Sequence, residues 1–306
     1  MKDPTVRISG VAKRYGKVEA VRDVSFALGE GETVALVGHN GAGKTTLIKL
    51  MLGLIRPSAG EVRVLGQDPA TGDFSVRQRL GYLPESVAFH MALTGRETLA
   101  FYARLKRVDV AWAFQLFDRV GLSAAAADRP VRTYSKGMRQ RLGLAQALLG
   151  QPRVLLLDEP TSGLDPALRR HFYDLSGELR AAGTSILLSS HALTELEGQT
   201  DRVVIVNEGV KIADGTLDSL RSLAQLPTRI SVKVANDGSA AKWTSNGARW
   251  KETGRQTLEA EVAAEDKVAV LKQVTSDPAD VVALHVVEPT LDDLYAHFLD
   301  MRKAAQ

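Results

Sequence analysis

Cysteine is absent from the 306 residues of the sequence. Disulfide bonds and thiolate metal sites are therefore excluded, which is consistent with a cytoplasmic protein. Long apolar runs are absent as well, since no stretch approaches the ~20 residues that a transmembrane helix needs. The N-terminal residues also lack the apolar core of a signal peptide. We therefore expect a soluble chain without direct membrane insertion, which would act at a membrane only through a partner.

A large excess of charge of either sign is also absent. The chain has 39 lysines and arginines and 36 aspartates and glutamates, which gives a formal net charge of +3. The basic residues are dispersed along the chain, so the sequence does not favour nucleic acid as a partner. Hydrophobic residues make up 44% and charged residues 25% of the chain, as in an ordinary globular protein. The length is sufficient for one large domain or two smaller ones.

A phosphate-binding loop of the form G-x-x-x-x-G-K-[ST] occupies residues 38–45, which read GHNGAGKT. Its glycines let consecutive backbone N–H groups turn towards an anion, Lys44 supplies a positive charge for the β- and γ-phosphates, and Thr45 supplies a hydroxyl for Mg²⁺. The preceding residues 33–37 predict a buried parallel strand, and residues 46–54 predict a helix whose N-terminus attracts phosphate. The residues predicted to hold the nucleotide here are Gly38, Asn40, Gly41, Ala42, Gly43, Lys44, Thr45 and Thr46.

The remaining pattern predicts an α/β fold with a smaller unit after it. Helix-forming residues with helical apolar spacing dominate from about residue 86 to 150, between apolar runs typical of buried strands. We predict a nucleotide-binding domain over residues 1–220, with a helical subdomain inserted at about 86–150, and an accessory α+β domain over residues 221–306. The accessory domain is predicted to contain strands at 229–234, 258–262 and 281–287, a polar stretch at 236–247, a helix at 266–275, and a closing helix after Pro289.

Asp158 and Glu159 directly follow an apolar strand, Val154–Leu157. In a parallel sheet, the carboxyl end of that strand lies beside the phosphate-binding loop. We predict that Asp158 holds Mg²⁺ or its waters, and that Glu159 orients and polarises the water that attacks the γ-phosphate. A strand with a solvated acidic end is the simpler alternative, which the neighbouring loop disfavours.

These elements, with the stretch YSKGMRQ at residues 134–140, resemble the ATP-binding subunits of ABC transporters over about residues 5–215. The resemblance implies a P-loop NTPase core of the ABC ATPase type. It also implies that Ser135 and Gly137 contact the γ-phosphate held by a second copy in a head-to-tail dimer. In that contact, backbone N–H groups and the Ser135 hydroxyl would face the phosphate. Ser135 could equally be an ordinary helix cap.

Three other positions match that family one by one. Tyr15 lies where the family stacks an aromatic ring on adenine, Asp165 ends the loop 162–165 that crosses the dimer interface, and His191 matches the switch histidine at the γ-phosphate. A structural tyrosine and a surface histidine are the simpler alternatives for two of them. His39 lies at a variable position of the phosphate-binding loop, and we assign it no chemistry.

One position departs from the family pattern. Glu85 follows the segment Gly81–Pro84, where the family usually has glutamine. A carboxylate oxygen can still face Mg²⁺, although the amide donor is lost and the charge differs. The predicted metal ligands are therefore Thr45, Glu85 and Asp158, and the predicted cofactors are ATP and Mg²⁺.

The resemblance also implies partners and a location. Several stretches are similar to exporter-type ATPases, and within them to the ATPases that act with a permease and a periplasmic protein in assembling the copper sites of nitrous oxide reductase. We therefore expect a homodimer bound to a permease at the cytoplasmic face of the inner membrane. A drug, lipid or ion exporter is the nearest alternative. A non-transport ABC ATPase and a small-molecule kinase are more distant ones.

Overall fold

The computed structural model describes residues 3–191, 193–235, 248–254, 256–276 and 281–304. The chain divides into two compact units, Met1–Asp214 and Gly215–Gln306. The polar stretch predicted at 236–247 lies outside the described residues.

The first unit alternates strands and helices, with single turns of 3-10 helix between some of them. In chain order its elements are β1 (Val6–Tyr15), β2 (Val18–Leu28), β3 (Thr33–Val37), α1 (Lys44–Met51), β4 (Ala59–Val64), α2 (Phe74–Gln78), β5 (Leu80–Leu83), α3 (Gly95–Leu105), α4 (Val110–Phe114), α5 (Leu116–Arg119), α6 (Ala124–Ala127), α7 (Lys136–Leu148), β6 (Val154–Asp158), α8 (Pro166–Ala181), β7 (Ser185–Ser190), β8 (Arg202–Asn207) and β9 (Val210–Gly215).

A six-stranded sheet in the order β5-β6-β7-β3-β8-β9 forms the centre of this unit. Strands β3, β6 and β7 are buried along their whole length, and the pairs β3–β7, β6–β7, β5–β6 and β3–β8 are parallel. Uninterrupted apolar runs are typical of such strands, because both faces are covered. The carboxyl ends of β3, β6 and β7 therefore meet at one edge of the sheet.

A second, antiparallel sheet in the order β2-β1-β4 packs against the core with one face. Its buried residues, among them Val6, Ile8 and Val24, join a hydrophobic cluster with residues of α1 and the central sheet. Tyr15, at the end of β1, is carried to the edge of this sheet and is 47% exposed.

Helices α3 to α7 lie in the chain between β5 and β6, in the stretch predicted to be helical. Thr94 and Glu97 form a capping box that starts α3. Gly121 follows α5 with a φ of +69°, a left-handed conformation that favours glycine and ends a helix. Helices α4 to α6 are short, so much of this stretch is turns rather than long helices.

The second unit contains α9 (Leu217–Ala224), β10 (Thr228–Val234), β11 (Arg249–Gly254), β12 (Thr257–Val262), α10 (Lys267–Thr275), β13 (Val281–Val287) and α11 (Leu291–Ala304). Its four strands form an antiparallel sheet in the order β11-β12-β10-β13. Ile230, Val232, Leu258 and Val270 belong to its own hydrophobic cluster. The predicted strands and helices are present. The sequence did not predict β11, because its mostly exposed residues carry no apolar alternation.

Within the described part of the chain, no helix has the length and apolar character needed to span a membrane.

Candidate functional site

The phosphate-binding loop joins β3 to α1, and two of its glycines are required by their surroundings. A Cβ at Gly38 would lie 2.4 Å from the backbone oxygen of Val206, and one at Gly43 would lie 2.7 Å from that of Ala20. Gly43 also has a φ of +104° and caps α1 without any side-chain hydrogen bond. The first-turn N–H groups of α1 are thus not capped by a side chain, as an anion site at a helix N-terminus requires.

Lys44 begins α1, two residues before the predicted helix start, because the glycine at position 43 completes the turn. Its side chain is buried, and its ammonium donates to the carbonyl oxygens of Gly38 and His39. Burial lowers the pKa of Lys44, and the nearby carboxylates of Glu159, Asp158 and Glu85 oppose that shift. The ammonium is therefore held in a fixed position inside the loop that would surround a phosphate.

Asp158 ends β6 and is 3% exposed. One of its carboxylate oxygens accepts a hydrogen bond of 3.1 Å from the Thr45 hydroxyl, and the other accepts one of 2.6 Å from the Ser189 hydroxyl in β7. A hydroxyl and a carboxylate are hard oxygen ligands of the kind that Mg²⁺ uses alongside substrate phosphates. Thr45 and Asp158 therefore fit the predicted magnesium site.

Glu159 follows β6 with a φ of +50°, an uncommon backbone conformation for a residue other than glycine. Its backbone N–H donates to Ser189 Oγ at 3.0 Å, and its carboxylate lies 2.7 Å from His191 Nδ1 and 3.9 Å from Lys44 Nζ. The Glu159 side chain is 10% exposed, whereas that of His191 is 62% exposed. The buried Glu159 carboxylate is thus oriented by the Lys44 ammonium and by the exposed His191 imidazole.

These residues line one cavity of about 1000 Å³. Of the predicted site residues, its lining contains Tyr15, Asn40, Gly41, Ala42, Gly43, Lys44, Thr45, Thr46, Glu85, Asp158, Glu159 and His191. The lining also contains residues to which the sequence analysis assigned no role: Val18, Glu19, Ala20, Arg22, His39 and Glu208. Apart from the loop residue His39, these lie in β2 or between β8 and β9, and no local motif marks them.

Gly38, Ser135, Gly137 and Asp165 do not line this cavity. Ser135 is the exposed N-cap of α7 and accepts a 3.2 Å hydrogen bond from the Met138 N–H, while Asp165 caps α8 by accepting from the Leu168 N–H at 2.9 Å. The Ser135 hydroxyl that accepts this bond keeps its own proton for donation. Both residues are therefore helix caps within one copy, and their predicted contact with a second copy stays a prediction.

Comparisons with known proteins agree with this geometry. The family model for ABC transporters matches residues 21–162. The uncharacterized ABC transporter ATP-binding protein YdbJ of Bacillus subtilis is 34% identical over 96% of this chain and 94% of its own length. The daunorubicin resistance ATP-binding protein DrrA3 of Streptomyces coeruleorubidus is 35% identical over 97% of this chain and 96% of its own.

Solved structures show the same fold. The structure of an ATP-binding subunit of an ABC transporter superposes with a TM-score of 0.67 at 32% identity, covering 72% of this chain and 92% of that one. A bacterial ABC transporter cassette solved as a dimer has a TM-score of 0.64 at 22% identity, which shows the fold alone. The chain belongs to the ABC transporter ATP-binding proteins, and it is an ATP-hydrolysing enzyme. The predicted α/β class with a P-loop NTPase core is confirmed.

Proposed function

We propose that two copies of this chain close head-to-tail around two Mg-ATP, and that the hydrolysis of ATP drives a separate membrane permease. The observation that carries the chemistry is the contact of Glu159 with both His191 and Lys44 at the edge of the sheet where Asp158 also ends. The members of this family act as dimers with membrane permeases. The permease would hold the chain at the cytoplasmic face of the inner membrane.

Each residue has a separate role in this proposal. The Glu159 carboxylate accepts a proton from the attacking water and orients it towards the γ-phosphate. The Nδ1 contact with Glu159 fixes the His191 ring, so that Nε2 remains for the γ-phosphate. Lys44 neutralises the charge that develops on the β- and γ-phosphate oxygens, and Tyr15 stacks on the adenine.

The metal site in this proposal uses hard oxygen ligands. Thr45 and Asp158 would hold Mg²⁺, with Glu85 lining the same cavity. The chemistry that Mg²⁺ would supply there is neutralisation of phosphate charge. No group of three or more histidines, aspartates and glutamates suited to a metal ion occurs in the described residues.

The second copy completes each site with Ser135, Gly137 and Asp165. The exposed position of Ser135 at the start of the 13-residue helix α7 supports this role, since a helix N-terminus attracts an anion. Asp165 lies at the start of α8, after the loop that follows Glu159. Closure of the dimer would bring these groups to the γ-phosphate, and the release of phosphate would let the dimer open.

Replacement of Glu159 by glutamine tests this mechanism. The amide can keep a hydrogen bond to His191 but cannot accept a proton, so we expect turnover to fall on the order of 100-fold or more, with ATP binding retained. The variant should accumulate as a closed dimer in ATP, detected by light scattering after size-exclusion chromatography. Glu178→Gln, which removes an exposed carboxylate on α8, is the control. Near-normal turnover of Glu159→Gln would remove Glu159 from the catalytic role.

For the transported cargo, the sequence stretches 81–86, 94–99 and 134–152 support one candidate. They are similar to NosF, the ATPase that acts with the permease NosY and the periplasmic protein NosD in copper-site assembly of nitrous oxide reductase. Since the chain has no cysteine, copper would be handled by those partners rather than by this subunit.

The relatives support a second candidate, the export of a drug-like molecule. DrrA3 is named for daunorubicin resistance and matches nearly the whole chain, including the second unit. DrrA of Mycobacterium tuberculosis, named for doxorubicin resistance, is 38% identical over 72% of the chain. A drug exporter would need the same ATP site with a different permease.

Deletion of the gene in the source organism distinguishes the two candidates. In cells grown by denitrification, a NosF-like role predicts nitrous oxide release and a copper-deficient nitrous oxide reductase. A drug-exporter role predicts normal gas consumption together with increased sensitivity to daunorubicin and doxorubicin. Complementation with the wild-type gene and with the Glu159→Gln variant shows whether the phenotype requires ATP hydrolysis.

A further inference from the structure

A network of polar side chains joins the segment after His191 to the segment after Glu159. Glu195 lies in the 3-10 turn Leu193–Glu195. One of its carboxylate oxygens is 2.6 Å from Arg169 Nη1 in α8, and the other accepts a 3.3 Å hydrogen bond from the Thr161 hydroxyl. Thr161 is buried, and the Glu195 side chain is 20% exposed. A single carboxylate therefore connects two segments that both begin at the proposed reaction centre.

The same network reaches the loop that ends at Asp165. Arg169 also donates through Nη2 to the carbonyl oxygen of Leu164 at 3.3 Å. The buried amide of Gln140 in α7 also donates to the carbonyl oxygen of Pro160, at the start of this loop, at 3.3 Å. The loop 160–165 is thus held at its start by the helix that carries Ser135 and at its end by the Arg169–Glu195 pair.

The contacts of Arg169 depend on the orientation of its guanidinium group as well as on its charge. Arg169 Nε is buried and makes no hydrogen bond among the described residues, so the two terminal nitrogens carry the interactions of this guanidinium. Burial and the nearby Glu195 carboxylate raise the pKa of Tyr173 to about 12, so this ring stays neutral beside the network. Partly buried ion pairs add little net stability compared with apolar packing, and in some proteins they fix one conformation instead.

We propose that Glu195 is a positioning residue for ATP hydrolysis, which keeps the Asp165 loop in register with His191 and Glu159. Movement of the His191 segment on nucleotide binding would pass through Glu195 to Thr161 and Arg169, and from them to the surface that faces the second copy. This inference rests on the composite site proposed above. Glu195 itself contacts neither the nucleotide nor the reacting atoms in this arrangement.

Two variants of the full-length protein test the proposal in steady-state ATPase assays. Glu195→Gln removes the charge that pairs with Arg169, and Thr161→Val removes the hydroxyl while keeping the ion pair and the side-chain shape. We expect kcat to fall about tenfold or more in Glu195→Gln, since displacement of a catalytic group by about 1 Å can cost on the order of 100-fold. The KM for ATP should stay within about twofold, because binding groups are untouched. The double variant should lose no more than Glu195→Gln alone, since both changes act through one network.

Glu178→Gln is the matched control, because Glu178 lies on α8, as Arg169 does, and its 68% exposed carboxylate pairs with Arg119 of α5. Its kcat should equal that of the wild type. A kcat within twofold of wild type in both test variants, or a raised KM with an unchanged kcat, would overturn the positioning role. If Glu195→Gln does not fold, as judged by thermal unfolding, Thr161→Val decides the question by the same criterion.

The Glu159→Gln variant, assayed in parallel, separates this proposal from the one on which it rests. Normal turnover in both Glu195→Gln and Thr161→Val beside an inactive Glu159→Gln variant would remove only the positioning role. Normal turnover in Glu159→Gln would remove the catalytic assignment itself.

Discussion

Three carboxylates act electrostatically on one buried ammonium in the cavity. Burial lowers the pKa of Lys44, and Glu159, Asp158 and Glu85 each oppose that shift by favouring its charged form. Lys44 alone does not neutralise these three carboxylates, and a triphosphate would bring further negative charge. A divalent cation resolves this conflict, because it neutralises both the carboxylates and the phosphate oxygens. The charge balance of the site thus supports Mg-ATP rather than free ATP as the ligand.

Glu85 is the residue at which this charge balance can be tested. Glu85→Gln removes one negative charge and restores the amide that the family usually has at this position. We expect ATP binding to be kept and hydrolysis to be at least partly kept, because an amide oxygen can still face Mg²⁺. The measurement is the Kd for ATP by fluorescence titration together with kcat at saturating Mg²⁺. Loss of nucleotide binding in this variant would show that Glu85 is misplaced in the proposed site.

At the scale of helices and strands, the sequence predicts whatever is local. The apolar run of β3 and the glycines directly after it identify the phosphate-binding loop and its helix. The apolar run of β6 identifies the two acidic residues, Asp158 and Glu159, at its carboxyl end. The contact between Glu159 and His191 depends on two parallel strands ending side by side, which the register of β6 and β7 shows but the sequence does not. Glu195 was missed for the same reason, since its partners lie far away in the chain and no motif includes it.

Lys106 provides a test of how the helical region is attached to the sheet. It follows α3, and its ammonium donates to the carbonyl oxygens of Leu80 in β5 and Leu149 after α7, both at 3.0 Å. Burial lowers its pKa from 10.5 to about 8. Above about pH 8 the unfolded chain holds this proton more tightly than the folded protein, so the contribution of Lys106 to stability increases with pH up to about 10.5.

We therefore expect Lys106→Met to change the pH dependence of unfolding. Relative to the variant, the wild type should gain about 2 to 3 kcal/mol of unfolding free energy between pH 7 and pH 10. Urea unfolding at pH 7, 8.5 and 10 measures this difference. Lys303→Met, at a 75% exposed lysine in α11, is the control and should show no comparable change. A pH-independent difference between wild type and Lys106→Met would mean that the lysine is charged throughout this range.

At the scale of the whole molecule, the proposed composite site needs two copies of the chain. The cavity collects the phosphate-binding loop, Asp158, Glu159 and His191, whereas Ser135 and Asp165 cap helices outside its lining. In the proposed head-to-tail dimer, the loop of one copy meets Ser135 of the other. Two different inactive variants can then restore each other's activity, since each supplies the part that the other lacks.

The two variants are Lys44→Ala, which removes the phosphate-binding ammonium, and Ser135→Asp, which keeps a good N-cap for α7 but places a carboxylate against the γ-phosphate. Each alone should be inactive. In an equal mixture, half of the dimers are mixed and each of these has one intact site, so we expect about a quarter of wild-type turnover. The control is the double variant Lys44→Ala/Ser135→Asp mixed with wild type, in which mixed dimers have no intact site and activity per wild-type chain falls. A mixture no more active than its two parents would mean that Ser135 does not act across a dimer, and that the site is completed within one chain.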